Sequence, residues 1–95
     1  MKRMFDLGGV VMTQGIAEIV DKSEKIGEEI LDCLLRHARC DWGDMCDEDK
    51  LENDYGLQNG GRLFSQYNIG EDKTKIWIIT EWDRSCTTIL LPEEY

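Results

Sequence analysis

Cys33, His37, Cys40 and Cys46 are the side chains of this sequence best suited to hold a soft metal ion. Cys33 and His37 stand four residues apart, so on a helix they share a face, and Cys40 and Cys46 follow in what reads as a loop. Zinc takes four such ligands in a tetrahedron, although C-x3-H-x2-C-x5-C is not one of the paired-knuckle spacings. The plainer reading treats the cysteines as small buried hydrophobes. His37 is the only histidine. Beside Asp41 and Asp44 it could act as a general base. At the end of a helix it is also placed to favour the dipole and to reach a free carbonyl. The acidic run from Asp41 to Asp49 lacks the glycine required at the sixth position of a calcium-binding EF loop, so calcium is set aside.

A second constellation is polar and comes later in the chain: Arg62, Glu81, Asp83, Arg84 and Ser85, with Thr80, Thr87 and Thr88 nearby. Paired acid and arginine beside hydroxyls can support phosphodiester cleavage. The same groups can equally brace a turn through arginine–carboxylate bonds. Among the aromatics, Trp77 and Tyr67 fall in strands, and Trp77 is expected in the core. Trp42 lies in the acidic loop. Trp82 lies in a turn among charges, where an exposed tryptophan can anchor a protein contact. No GxGxxG, P-loop, GxSxG or HExxH motif occurs.

The elements that must position these residues follow from periodicity. Thr13 can cap a short helix through Ile16, Ile19 and Val20, and Ser23 can cap the next. In that second helix Ile26, Ile30, Leu31, Leu34, Leu35 and Ala38 form an apolar stripe at helical spacing. Residues 39–46 read as a loop around Gly43. Asp47 is expected to cap a third helix, with Glu48 and Asp49 on the positive end of its dipole and Gly60-Gly61 stopping it. From Arg62 the period changes to two. Strands are expected over 62–69, 75–81 and 86–91, joined by turns at 70–72 and 82–85. The predicted fold is α+β: a three-stranded antiparallel meander with two to three helices on one face, and Val10-Val11-Met12 available as a fourth strand. In such a meander Arg62, Glu81, Asp83, Arg84 and Ser85 gather at one end of the sheet.

Ninety-five residues hold one modest core. With no linker or repeat in view, 1–95 reads as one domain, an acidic helical half over about 14–60 and a sheet over about 61–92. The chain carries a net charge of −9, most of it in the helical half. That balance argues against nucleic acid as a direct ligand, since phosphate contacts need Lys and Arg, and against an anionic membrane surface. It permits a protein partner with a basic surface, and it also keeps a small domain soluble as a monomer or small homo-oligomer. Met1 to Asp6 is charged with no apolar h-region behind it, no apolar run spans a bilayer, and four cysteines are too few for a disulfide framework. The expected setting is cytoplasmic, with reduced thiols.

Three stretches together resemble a known family: Arg36-His37 with Asp41-Trp42-Gly43-Asp44 and Glu48-Asp49; Gly61-Arg62-Leu63 with Ser65 and Tyr67; and Trp77 to Glu81 through Asp83-Arg84-Ser85, Thr87-Thr88 and Leu90 to Tyr95. The family comprises small "plasmid-related" proteins of unknown function from plasmids and integrative conjugative elements. Some members are labelled type I restriction enzyme subunits, but a chain this short cannot hold a methyltransferase domain. The resemblance covers about residues 30–95. Cys40 stands where the family usually has Gly, and Trp82 where it usually has Ala. The resemblance implies a mobile-element setting and assigns no role to any residue.

These readings lead to a mobile-element accessory protein that binds another protein, as an acidic inhibitor of a nucleic-acid-directed defence complex of the CRISPR or restriction kind. Asp41, Trp42, Asp44, Asp47, Glu48 and Trp82 are the expected contact residues, and no enzymatic activity is required. The alternatives are a small nuclease-type or hydrolytic toxin using His37, Arg62, Glu81 and Arg84, and a zinc module using Cys33, His37, Cys40 and Cys46.

Overall fold

The structure is a computed structural model and describes residues 4–95; the charged start at Lys2 and Arg3 lies outside the described residues. The chain runs β1 (Gly9–Met12), α1 (Gln14–Lys22), α2 (Glu24–Ala38), α3 (Asp47–Asn59), β2 (Leu63–Ile69), β3 (Thr74–Thr80), β4 (Cys86–Leu90) and a closing 3₁₀ turn (Pro92–Glu94). The α+β class and the three expected helices are present.

The sheet is mixed rather than purely antiparallel, with strand order β1-β4-β3-β2. β2, β3 and β4 form the expected antiparallel meander, while β1 lies parallel to β4. The reason is the path between β1 and β2. These strands occupy opposite edges, and α1, α2 and α3 carry the chain across the sheet between them. That crossover returns it to the end from which β1 started, so β1 and β2 point the same way.

Alternation along the strands builds the core. Leu63, Ser65, Tyr67 and Ile69 of β2 are buried, as are Ile76, Ile78 and Thr80 of β3 and Thr87 and Ile89 of β4. Ile16 of α1 and Ile30 and Cys33 of α2 pack on this face, with Val20, Ile26 and Leu34 partly buried around them. Ser23 ends α1 and starts α2, its hydroxyl accepting from the Ile26 N–H at 3.3 Å. Thr13 occupies the cap position of α1, but its hydroxyl donates to the Glu94 carboxylate instead of capping the helix. That carboxylate also accepts from the Gly15 and Leu91 N–H groups, tying the C-terminal turn to the start of α1. The cap of α3 is Cys46, one residue before the expected Asp47, and Gly60 closes that helix with φ 77°.

The two edges of the sheet are finished differently. Along β2, the Gln66 N–H donates to the Trp42 carbonyl and the Asp44 N–H to the Gln66 carbonyl. Asn53 of α3 then pairs with both backbone groups of Phe64, at 2.6 and 3.0 Å. Gly43, at φ 76°, makes this approach possible, because a Cβ there would collide with the Gln66 carbonyl and the Tyr67 ring. Nothing among the described residues covers the outer edge of β1 in this way.

Candidate functional site

His37 stands on the face of α2 that the apolar stripe turns inward, and its ring is fully buried. It neither caps the helix nor meets Asp41 or Asp44. Nδ1 lies 2.5 Å from the Ser65 hydroxyl and Nε2 lies 2.9 Å from that of Thr80. Thr80 is 2.7 Å from Thr87, whose hydroxyl donates to the Leu7 carbonyl at 2.6 Å. A carbonyl only accepts, so the whole chain has one direction. Thr87 donates to Leu7, Thr80 to Thr87, His37 Nε2–H to Thr80, and the Ser65 hydroxyl to Nδ1. Burial holds the imidazole neutral, its pKa lowered from 6.5 to about 3, with Arg84 adding a smaller push in the same direction.

A serine donating to a histidine that is itself oriented by a hydroxyl is the connectivity of an activated nucleophile. Here Ser65, His37, Thr80 and Thr87 are all fully buried, Phe5 packs edge-on against His37 at 5.4 Å, and Trp42 does so at 5.6 Å. No substrate reaches the serine in this arrangement. The four groups satisfy one another inside the core, as buried polar groups must.

The zinc set is not assembled. Cys33 faces the core, where burial raises its thiol to about 11, and both His37 nitrogens are taken by hydroxyls. Cys46 is exposed at the start of α3, and the four cysteines are free thiols. Among the described residues no group of three or more His, Cys, Asp or Glu is placed to hold a metal ion. The helix spacing did put Cys33 and His37 on one face, but that face is the one the core consumes.

The sheet-end cluster gathers where the meander requires, and it divides in two. Arg84, at φ 60°, donates to the carbonyls of Gly61, Glu81, Trp82 and Gly56 at 2.6–3.3 Å. Its guanidinium is thereby committed to joining the β3–β4 turn to the end of α3. Asp83 accepts from the Ser85 N–H and hydroxyl within the same turn. Those bonds hold its carboxyl below the ordinary range. Arg62 and Glu81 instead line a shallow cavity of about 280 Å³ on the outer face of the sheet, over Ile79 and Leu90. Arg62 donates to the Tyr95 hydroxyl at 2.7 Å. His37, inside the core, shares no surface with this pair.

Of the expected contact residues, Trp42 is a correction. It is only 4% exposed, stacked near Phe5 at 6.3 Å and donating to Asp54 at 3.1 Å. It closes the β2 edge and cannot anchor a partner. Asp41 is exposed but paired with Arg36 at 2.8 Å, which holds its carboxyl below the ordinary range. Asp44 accepts from the Asn68 side chain. Asp47, Glu48 and Trp82 are exposed.

A further concavity lies where the residue types gave least warning. A groove of about 730 Å³ runs between α3 and the end of β2. Met45, Asn53, Gly56, Gly61 and Phe64 form its floor and walls, Arg62 lines it as well, and Glu48, Asp49, Leu51, Glu52 and Tyr55 stand along α3. Glu48, Leu51, Glu52 and Tyr55 follow i, i+3, i+4, i+7, so they form one stripe on the helix. Leu51 is 67% and Tyr55 71% exposed. Their i, i+4 spacing is that of a core-facing helical stripe, yet both lie outside the core. The signal that separates them from it is that Asn53 and Gly56, polar and small, are the α3 residues that meet the sheet.

No family model, curated protein or solved structure matches the chain.

Proposed function

We propose that the chain is a protein-binding module that uses the groove beside α3 to hold a basic, amphipathic segment of another protein. One observation carries this reading: Leu51 and Tyr55 project into solvent one turn apart, between Glu48, Asp49 and Glu52, along a groove floored by Phe64. Apolar anchors give affinity, and the acidic rim selects a positively charged partner and speeds its approach. The groove adjoins Asp47 and Glu48, so the acidic segment read from the sequence contributes its helical part. The resemblance to plasmid-borne proteins favours a mobile-element accessory protein, with the basic nucleic-acid groove of a defence complex as its target. The buried state of His37 and the structural use of Arg84 weigh against a hydrolytic toxin.

The test is titration calorimetry with a synthetic helical peptide bearing leucines on one face and Lys and Arg on the other. Leu51→Ala and Tyr55→Ala should each weaken binding by about tenfold or more while moving stability by less than about 0.5 kcal/mol, as exposed substitutions do. Glu48→Lys with Glu52→Lys should remove the salt dependence. Equal affinity of wild type and Leu51→Ala would sink the reading. Among the described residues no helix is long and apolar enough to cross a membrane.

A further inference from the structure

We infer that the outer edge of β1 pairs with β1 of a second copy of this chain, antiparallel, about a two-fold axis at Val11. β1 is the last strand of the sheet on its side. Its Gly9 N–H donates to the Ser85 carbonyl and the N–H of Thr13, just beyond it, donates to the Ile89 carbonyl, each at 3.0 Å. Backbone groups alternate in direction along a parallel ladder, so Val10 and Met12 aim their N–H and C=O groups away from β4. A row of such groups is a template for another strand. Val10, Val11 and Met12 are also 44–50% exposed, three apolar side chains in succession on an edge.

Charge identifies the occupant. Natural edges are commonly blunted with lysine, proline or a bulge, yet Leu7 to Ile16 contains no charged residue, and neither does β4 beside it. On a chain of net charge −9, this is a strip where a second copy can approach without setting carboxylates against each other. Glu94 borders the end of the strand, but its carboxylate is held by the Thr13 hydroxyl and the Gly15 and Leu91 N–H groups. A basic partner would gain nothing from an uncharged edge.

The register follows from the same alternation. The outward groups belong to Val10 and Met12, symmetric about Val11. Pairing Val10 with Met12 of the second copy, and Met12 with its Val10, satisfies all of them at once. It leaves Val11 facing its own counterpart as a non-hydrogen-bonded pair, with Cα atoms about 4.5 Å apart. That separation lies in the range a disulfide spans. The result is one continuous sheet through both copies, remote from the α3 groove and independent of any partner bound there.

Sedimentation equilibrium across a concentration series, at low and high salt, tests the association. Wild type should shift from 11.0 kDa toward twice that mass, more readily at high salt, where repulsion between the two acidic copies is screened. Binding to a basic peptide at the α3 groove has the opposite salt dependence, so failure of one idea is distinguishable from failure of the other. Val11→Lys should stay folded and monomeric. Val11→Cys should form a self-disulfide under mild oxidation, located by peptide mapping against the native thiols, whereas Val10→Cys should not. Wild type that remains monomeric at high concentration and high salt overturns the proposal and leaves the edge to a strand of another protein. Equal cross-linking at positions 10 and 11 overturns the register.

Discussion

The interior around His37 and the surface along α3 invert the usual distribution of side chains. Inside, His37, Ser65, Thr80 and Thr87 form a polar chain with no solvent contact. Outside, Leu51 and Tyr55 stand in water beside acidic residues. The difference separates two uses of reactive-looking chemistry. Groups that could polarise or attack a substrate are spent on one another, where each loses its freedom to a neighbour. Groups that can only be covered are left open. The proposed binding role rests on this layout, since hydrophobic side chains are held in solution at a cost that an interface would remove.

The contrast can be broken most forcefully at His37. Replacing it with alanine leaves a ring-sized hole and strips Ser65 and Thr80 of their partners, which should cost roughly 4 kcal/mol. For a chain of this length total stability is on the order of 5–14 kcal/mol, so chemical denaturation should show a large drop in midpoint. A midpoint within experimental error of wild type would show that the network is incidental to the fold.

The same group makes stability depend on pH. Above about pH 6.5 the imidazole is neutral in both folded and unfolded chains, and its contribution is complete. Below it, the unfolded chain takes up a proton that the folded chain refuses until about pH 3, so stability falls through that window. At pH 5 the loss should be on the order of 2 kcal/mol relative to pH 7. In His37→Gln the fall between about pH 6.5 and 5 should disappear, measured by urea unfolding at matched ionic strength, leaving the loss at lower pH that Asp41 and Asp83 contribute. An unchanged slope in the variant would assign the dependence to carboxylates instead.

A smaller effect sharpens the boundary between the two regions. Cys40 sits in the turn that leads from the helix of His37 to the sealed β2 edge, at φ 66°. A side chain in that left-handed conformation is strained, whereas glycine is not. Cys40→Gly should therefore raise stability by about 0.5–1 kcal/mol, after the extra freedom of glycine in the unfolded chain is deducted. The change should shift the thermal midpoint and leave peptide binding at α3 untouched. Destabilisation would mean that the packing of the Cys40 side chain outweighs its backbone strain.

Much of the fold was legible along the chain because its signals are local. The stripe from Ile26 through Ala38 (Leu31 excepted, which faces solvent), the cap at Ser23, the stop at Gly60 and the alternation in 63–69 each depend on neighbours within a few residues. The gathering of Arg62, Glu81, Asp83, Arg84 and Ser85 followed from connectivity alone. Their division did not, because it turns on which side of the sheet Arg62 and Glu81 project from and on four carbonyls that converge on Arg84 from the end of α3 and the β3–β4 turn. Trp42 misled for a similar reason. An aromatic among acidic residues reads as exposed, and only the docking of residues 42–44 along β2 puts it inside.

By itself, then, the sequence determined the acidic balance, the three helices, the antiparallel meander and the end of the sheet where polar groups collect. All of these arise from composition and short-range periodicity. Tertiary structure alone decided that β1 runs parallel to β4, that both His37 nitrogens meet hydroxyls inside the core, and that Leu51 and Tyr55 face water. Each of those outcomes depends on which face of an element another element covers, and a covering element dozens of residues away leaves no local trace in the chain it covers.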